Sequence, residues 1–225
     1  MKLRVLRGPA LSGKTERLAA EMMLAHEKDT LSYTFLGPST ELAASFSERF
    51  ARCVNGPVPS GNFLALDKLA GDLHRFAHPD GVYLSRGVMS LLVAEGLADL
   101  RDEELGPFAP LRSSLALAHH LAEAVWDLSM RGEAETANLL SSDQALALAA
   151  GVKRRIDGVR ELGLFDLSDA YLNFEQEEVR EYVQKRYGTH LFADGIADLD
   201  GAEMIFLSRL LPLFEDGVMT IDSSL

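Results

Sequence analysis

Gly8, Gly13, Lys14 and Thr15 fall in the run Gly8-Pro9-Ala10-Leu11-Ser12-Gly13-Lys14-Thr15, which has the spacing G-x-x-x-x-G-K-[ST] of a phosphate-binding loop. Glycine at the two ends lets the backbone curl until successive N–H groups point into one concavity. A helix starting there adds the positive end of its dipole, which suits an anionic phosphate. Lys14 can then reach the β- and γ-phosphates of a nucleotide, and the Thr15 hydroxyl can ligate Mg²⁺. Pro9, Ala10, Leu11 and Ser12 supply backbone to the same cradle.

Such a loop works only between a strand and a helix, and the neighbouring sequence predicts both. Leu3-Arg4-Val5-Leu6 reads as a short strand, and Glu16 to Ala25 as a helix. Ser32 to Ser39 predicts a second strand closed by Gly37-Pro38, with Ser39 and Thr40 as N-caps for a helix from Glu41 to Arg52. After a turn-rich loop, Phe63-Leu64-Ala65-Leu66 leads into an amphipathic helix from Asp67 to Phe76, with Leu69, Leu73 and Phe76 on one side.

From about Val82 to Ala150 the chain becomes Leu/Ala-rich and helical in period, with no convincing strand. A helix starts near Ser85, Phe108-Ala109-Pro110 breaks the pattern, and a long helix is expected from Leu111 to Arg131, ended by Gly132. Ser141-Ser142-Asp143 caps another, and Lys153 to Leu162 reads as one more. Trp126 is expected in the core of this region. The strand–helix rhythm returns with a helix from Glu178 to Tyr187 and a strand from Thr189 to Asp194. A helix from Asp200 to Leu211 is stopped by Pro212, and a last strand runs from Val218 to Asp222. Alternation of this kind argues for a parallel sheet with helices on both faces. The expected organisation is an α/β fold of the RecA-like P-loop NTPase kind: first part of the core at 1–80, a large helical insertion at 81–165, and a return to the core at 166–225.

Asp194 ends a hydrophobic strand, at the strand end where ligands bind in such sheets, and can hold Mg²⁺ directly or through water. An ATP-driven motor places a glutamate directly after that aspartate to orient or deprotonate the attacking water. Here the position is Gly195, and Asp198, three residues on, would point elsewhere. Nucleotide binding with weak or absent hydrolysis is the expectation. His74 and His78 are four apart but lack a third ligand or an H-E-x-x-H pattern, so no metal site is expected of them.

The 225 residues can bury a good core, and 47% hydrophobic with 25% charged residues is ordinary for a globular chain. A net charge of −12 works against tight non-specific binding of nucleic acid by this chain alone. The one cysteine, Cys53, excludes an internal disulfide and reads as a small apolar residue on a helix. No signal peptide is expected, because the N-terminus leads directly into a strand. No apolar run approaches the ~18 residues a membrane span needs, so a cytoplasmic setting and no membrane partner are expected.

Taken together these segments resemble superfamily 1 helicases of the UvrD type. Gly8 to Thr15 looks like motif I, and Leu36-Gly37-Pro38-Ser39 like the end of the motif Ia strand. Phe63 to Ala70 is similar to the T-F-x-x-L-A segment before the helical 1B region, and Leu164 to Tyr171 to the F-D-F-x-D-L segment after it. Asp194 to Leu199 looks like motif II, the D-E-x-Q-D box, with Glu and Gln lost. The closest pattern is the AddB/RexB group, the partner subunits of bacterial ATP-dependent helicase–nucleases, which resemble a partly inactivated helicase.

That resemblance implies ATP and Mg²⁺ as ligands, an AddA-like helicase–nuclease subunit as partner, and DNA in the full complex. It implies that Arg49, Arg52, Lys68 and Arg75 line a DNA-facing surface, for which plain solvated charge is the other reading. It also implies a longer natural chain, since motif III onward, the second RecA-like domain with its arginine finger, the nuclease domain and the cysteine-ligated iron–sulfur cluster have no counterpart here. The residues leave two other functions open. One is a phosphate-loop kinase of small molecules or nucleosides with the helical region as a lid and Arg154-Arg155 as thin lid arginines. The other is a non-enzymatic scaffold with a vestigial loop.

Overall fold

In the computed structural model, residues 2–54, 56–131, 144–160, 163–196 and 199–222 are described. The chain divides into two compact units: a core unit of Met1–Ala77, Asn173–Leu199 and Glu203–Leu225, and a helical unit of His78–Leu172 with Asp200–Ala202.

The core unit is built on a five-stranded sheet in which every pairing is parallel. Its strands are β1 (Lys2–Gly8), β2 (Tyr33–Gly37), β3 (Phe63–Ala65), β6 (His190–Ala193) and β7 (Asp216–Asp222), in the order β1-β7-β6-β2-β3. Strand β7 therefore enters between the first strand and β6, and its register pairs Gly8 with Asp222 and Ala193 with Met219. The C-terminal ends of β1, β6 and β7 come to one edge of the sheet. Four of these strands are expected from the sequence, and Phe63–Ala65, expected only as an apolar run, is the fifth; β1 is an edge strand with Leu3 and Val5 exposed.

Helices α1 (Lys14–Lys28) and α2 (Thr40–Val54) cover one face of that sheet. Leu18 and Met22 of α1 and Ala43, Phe46 and Phe50 of α2 pack with Tyr33, Phe35, Phe63, Phe192 and Val218. Phe35 and Phe46 stack with centroids 4.0 Å apart, so an aromatic cluster fixes α2 on β2. Side chains alternate across a strand, which sends Thr34 to the reverse face. There its hydroxyl donates to the Tyr187 carbonyl at 2.6 Å, at the end of α9 (Gln176–Tyr187). Helix α3 (Leu66–Ala77) packs on α9, with Leu69 and Leu73 buried. Phe76 does not join them. It is exposed and stacks on Tyr182 at 3.9 Å, because it falls in the last turn, past the buried stripe. Helix α10 (Gly201–Leu210) ends in a 3-10 turn, Leu211–Leu213, where Pro212 cannot continue the α-helical bonds.

The helical unit holds α4 (Arg86–Ala98), α5 (Asp102–Leu105), α6 (Leu115–Arg131), α7 (Gln144–Arg160) and α8 (Leu167–Leu172). Ser85 caps α4, its hydroxyl accepting from the Val88 amide at 3.4 Å. Met89, Val93 and Leu97 of α4, Leu121, Val125 and Leu128 of α6, and Leu148, Val152 and Ile156 of α7 form one buried cluster at helical spacing. Three expectations are corrected here. A short parallel ladder joins β4 (Val82–Tyr83) to β5 (Leu164–Phe165), in a region where no strand was expected. The stretch from 144 to 160 is one helix where two were read, because Gly151 is accommodated without a break. Trp126 is half-buried, with the Arg86 guanidinium 5.2 Å from its ring centroid. The expected helix end at Gly132 and the cap at Ser141-Ser142-Asp143 lie outside the described residues.

Residues 166–172, expected in the core, group with the helical unit. Asp166 is fully buried there as the N-cap of α8. Its Oδ1 accepts from the Ser168 amide at 2.8 Å and the Asp169 amide at 3.2 Å, while Asp169 Oδ2 accepts from the Asp166 amide at 2.8 Å. This reciprocal pair satisfies the first-turn donors as a capping box does, so the F-D-F-x-D-L-like segment is accounted for by helix capping. Among the described residues no helix is long and apolar enough to cross a membrane.

Candidate phosphate-binding site

The loop between β1 and α1 runs from the end of a strand to the start of a helix. Gly13 has φ 80° and ψ 14°, in the left-handed region, and no side chain caps α1 there. The first-turn amides are therefore left open. A Cβ on Gly8 would lie 2.7 Å from Ser12 Oγ, so a larger residue there would require the Ser12 side chain to shift. Leu11 also has a positive φ of 61°, with its side chain fully in solvent at the loop tip.

Lys14 lies back across this loop. Its Nζ donates to the carbonyls of Gly8 at 3.0 Å and Pro9 at 2.6 Å and to Ser12 Oγ at 3.2 Å. It also pairs with Asp222 Oδ1 at 2.8 Å. The ammonium is thus held against the loop by four acceptors.

Thr15, in the first turn of α1, donates from Oγ1 to Asp194 Oδ2 at 2.8 Å. Asp194 lies just past β6 and is anchored by its own amide, which donates to the Leu36 carbonyl at 3.0 Å. Its other carboxylate oxygen, Oδ1, accepts from the hydroxyl of Thr220, a buried residue of β7. The Gly195 amide in turn donates to Thr220 Oγ1 at 3.3 Å. Gly195 has φ 68°, again left-handed, so the position after the aspartate is built for glycine.

The loop residues Gly8 to Thr15 and Asp194 thus come together at one sheet edge, through the Thr15–Asp194 hydrogen bond. Two further residues of that edge, Thr220 and Asp222, were not identified from sequence. The available signal was two polar residues, two apart, at the end of an otherwise apolar strand, where parallel sheets place their ligands. Asp198 lies outside the described residues.

A magnesium ion takes hard oxygen ligands and is usually held by one or two protein groups plus phosphate oxygens. A hydroxyl and a carboxylate 2.8 Å apart beside the loop are that donor set, so Thr15 and Asp194 fit the ion. Among the described residues no group of three or more His, Cys, Asp or Glu forms a self-sufficient metal site.

The four basic residues considered for DNA are spread over two helices. Arg49 and Arg52 are exposed on α2. Lys68 and Arg75 are exposed on α3 and share one partner, Asp72, at 3.0 Å and 2.5 Å. The Tyr187 hydroxyl reaches the other Asp72 oxygen at 3.4 Å. Burial, with the Asp72 charge beside it, pushes the Tyr187 phenol well above its ordinary range. Asp72 therefore offsets part of the positive charge that Lys68 and Arg75 would present. Cys53 is exposed on α2.

No family model matches the chain, and no curated protein matches it.

Proposed function

We propose that this chain is the ATP-binding, helicase-like N-terminal domain of an AddB-type helicase–nuclease subunit, with a RecA-like P-loop core, acting in DNA double-strand-break repair and recombination. One observation carries the reading: Thr15 and Asp194, 179 residues apart, meet at 2.8 Å beside the glycine loop. Two segments that separately look like motifs I and II share a single site. The helical unit between β3 and β6 occupies the place in the chain that the resemblance gives to the 1B region.

In this reading the open amides at the start of α1 bind phosphate oxygens, and Lys14 exchanges its loop carbonyls for phosphate. Thr15 and Asp194 hold Mg²⁺, which when bound neutralises phosphate charge. Thr220 fixes the Asp194 carboxylate in one orientation. No acid follows Asp194 to activate a water, so the domain binds ATP and hydrolyses it weakly or not at all. DNA and the AddA-like subunit are the partners in the complete assembly, with Arg49 and Arg52, exposed on α2, contributing to DNA contact.

A thermal-shift titration with ATP and Mg²⁺ tests the site. Ligand at about 100 times its Kd should stabilise the fold by about 2.7 kcal/mol, a Tm rise of roughly 5–10 °C for a chain of this size. Lys14→Ala should keep the circular dichroism of the parent and lose the shift. An equal shift in both proteins, or none in the parent, overturns the assignment.

A further inference from the structure

We propose that Asp222 is a specificity-determining residue of this site, making it select a polyphosphate carried with a divalent cation over the same polyphosphate without one. The inference rests on the nucleotide-site reading above and adds a residue that the loop pattern does not contain.

Asp222 is the last residue of β7, in register with Gly8, the first residue of the loop. The register brings its carboxylate to Lys14, with Oδ1 2.8 Å from Nζ. The two partners differ in setting: the Lys14 side chain is 10% exposed and that of Asp222 65%. An ammonium has three hydrogens to donate, and four acceptors lie within reach: the Gly8 and Pro9 carbonyls, Ser12 Oγ and Asp222. Lys14 has no spare donor for a phosphate, which can engage it only by displacing one of the four. Asp222 alone among them carries a full charge.

Displacement leaves that carboxylate beside the incoming anion, and like charges at such separations repel strongly. A polyphosphate complexed to a divalent cation carries two fewer negative charges and meets a smaller penalty. Asp194, the other carboxylate of the site, differs in kind. It faces Thr15 and Thr220, on the side where the cation itself would sit. Asp222 is paired instead with the lysine.

The test compares the parent chain with Asp222→Asn and Asp222→Glu, measuring binding of ATP by calorimetry with Mg²⁺ and with EDTA at fixed ionic strength. Asp222→Asn should tighten metal-free ATP by about tenfold, the order expected for one unit charge removed beside a bound anion. It should change Mg²⁺–ATP by less than about threefold, and raising the salt should shrink the effect because the carboxylate is solvent-exposed. Asp222→Glu, which keeps the charge, should retain the preference of the parent. If the parent binds Mg²⁺–ATP and Asp222→Asn leaves the ratio of the two affinities unchanged, the role of Asp222 is overturned and the site stands. If the parent binds neither form, the site reading falls and this one with it.

Discussion

Gly195 shows that the residue after Asp194 is set by backbone geometry as well as by chemistry. It has φ 68° and its amide donates to Thr220 Oγ1 at 3.3 Å, while Thr220 holds Asp194. A residue with a Cβ in that conformation is strained by roughly 1–2 kcal/mol. Gly195→Glu, which puts an acid directly after Asp194, should therefore lower stability by about that amount and yield no ATP turnover. Denaturant unfolding and phosphate release measure the two effects, and steady hydrolysis by the parent chain would contradict the binding-only reading. The positions of the loop and of Asp194 in the fold were legible because apolar runs and their ends are local in the sequence. Thr220 and Asp222 were not, because what makes them part of the site is the parallel register of β7 between β1 and β6, which no local pattern carries.

The elements themselves were legible where period and punctuation agreed. Strands β1, β2, β6 and β7 and helices α1, α2, α3 and α9 all lie where apolar pattern, caps and Gly-Pro breaks put them, while β3 reads only as an apolar run before α3. Failures came where an element is set by partners elsewhere in the chain. The two-residue β4 and β5 have too few residues to show alternation and exist as a ladder between distant segments. Phe76 fits the helical stripe of α3, yet it finds its contact on Tyr182 of α9. The turn from α9 into β6 makes the strongest element-level prediction. Gly188 has φ 79° and ψ −168°, a combination open almost only to glycine. A Cβ there would lie 2.2 Å from the Ser32 carbonyl carbon, part of the backbone that receives the Thr189 and His190 amides at 2.8 and 3.0 Å. Gly188→Ala should destabilise the chain by about 3 kcal/mol or more, through backbone strain and displacement at the start of β6. A denaturant midpoint within error of the parent would show that the turn can relax.

At the level of the molecule, the division into two units confines every proposed ligand contact to one of them. Gly8 to Thr15, Asp194, Thr220 and Asp222 all belong to the core unit, whose sheet has its own aromatic cluster, while the helical unit has a separate core built from α4, α6 and α7. A ligand stabilises only the conformations that bind it, and amide exchange resolves stability locally. Addition of ATP and Mg²⁺ should therefore slow hydrogen exchange at 8–17, at 194–196 and at 220–222, where amides line the loop or hang on the Asp194–Thr220 contacts. Exchange across 89–97 and 148–156, the buried turns of α4 and α7, should stay as it is without ligand. Protection that appears first or most strongly in the helical unit would place the ligand elsewhere and favour a lid-type kinase over a helicase-like nucleotide site. The Lys14→Ala protein under the same conditions separates the alternatives further. It should lose the protection at all three core segments together, because the loop, Asp194 and β7 form one connected set of contacts.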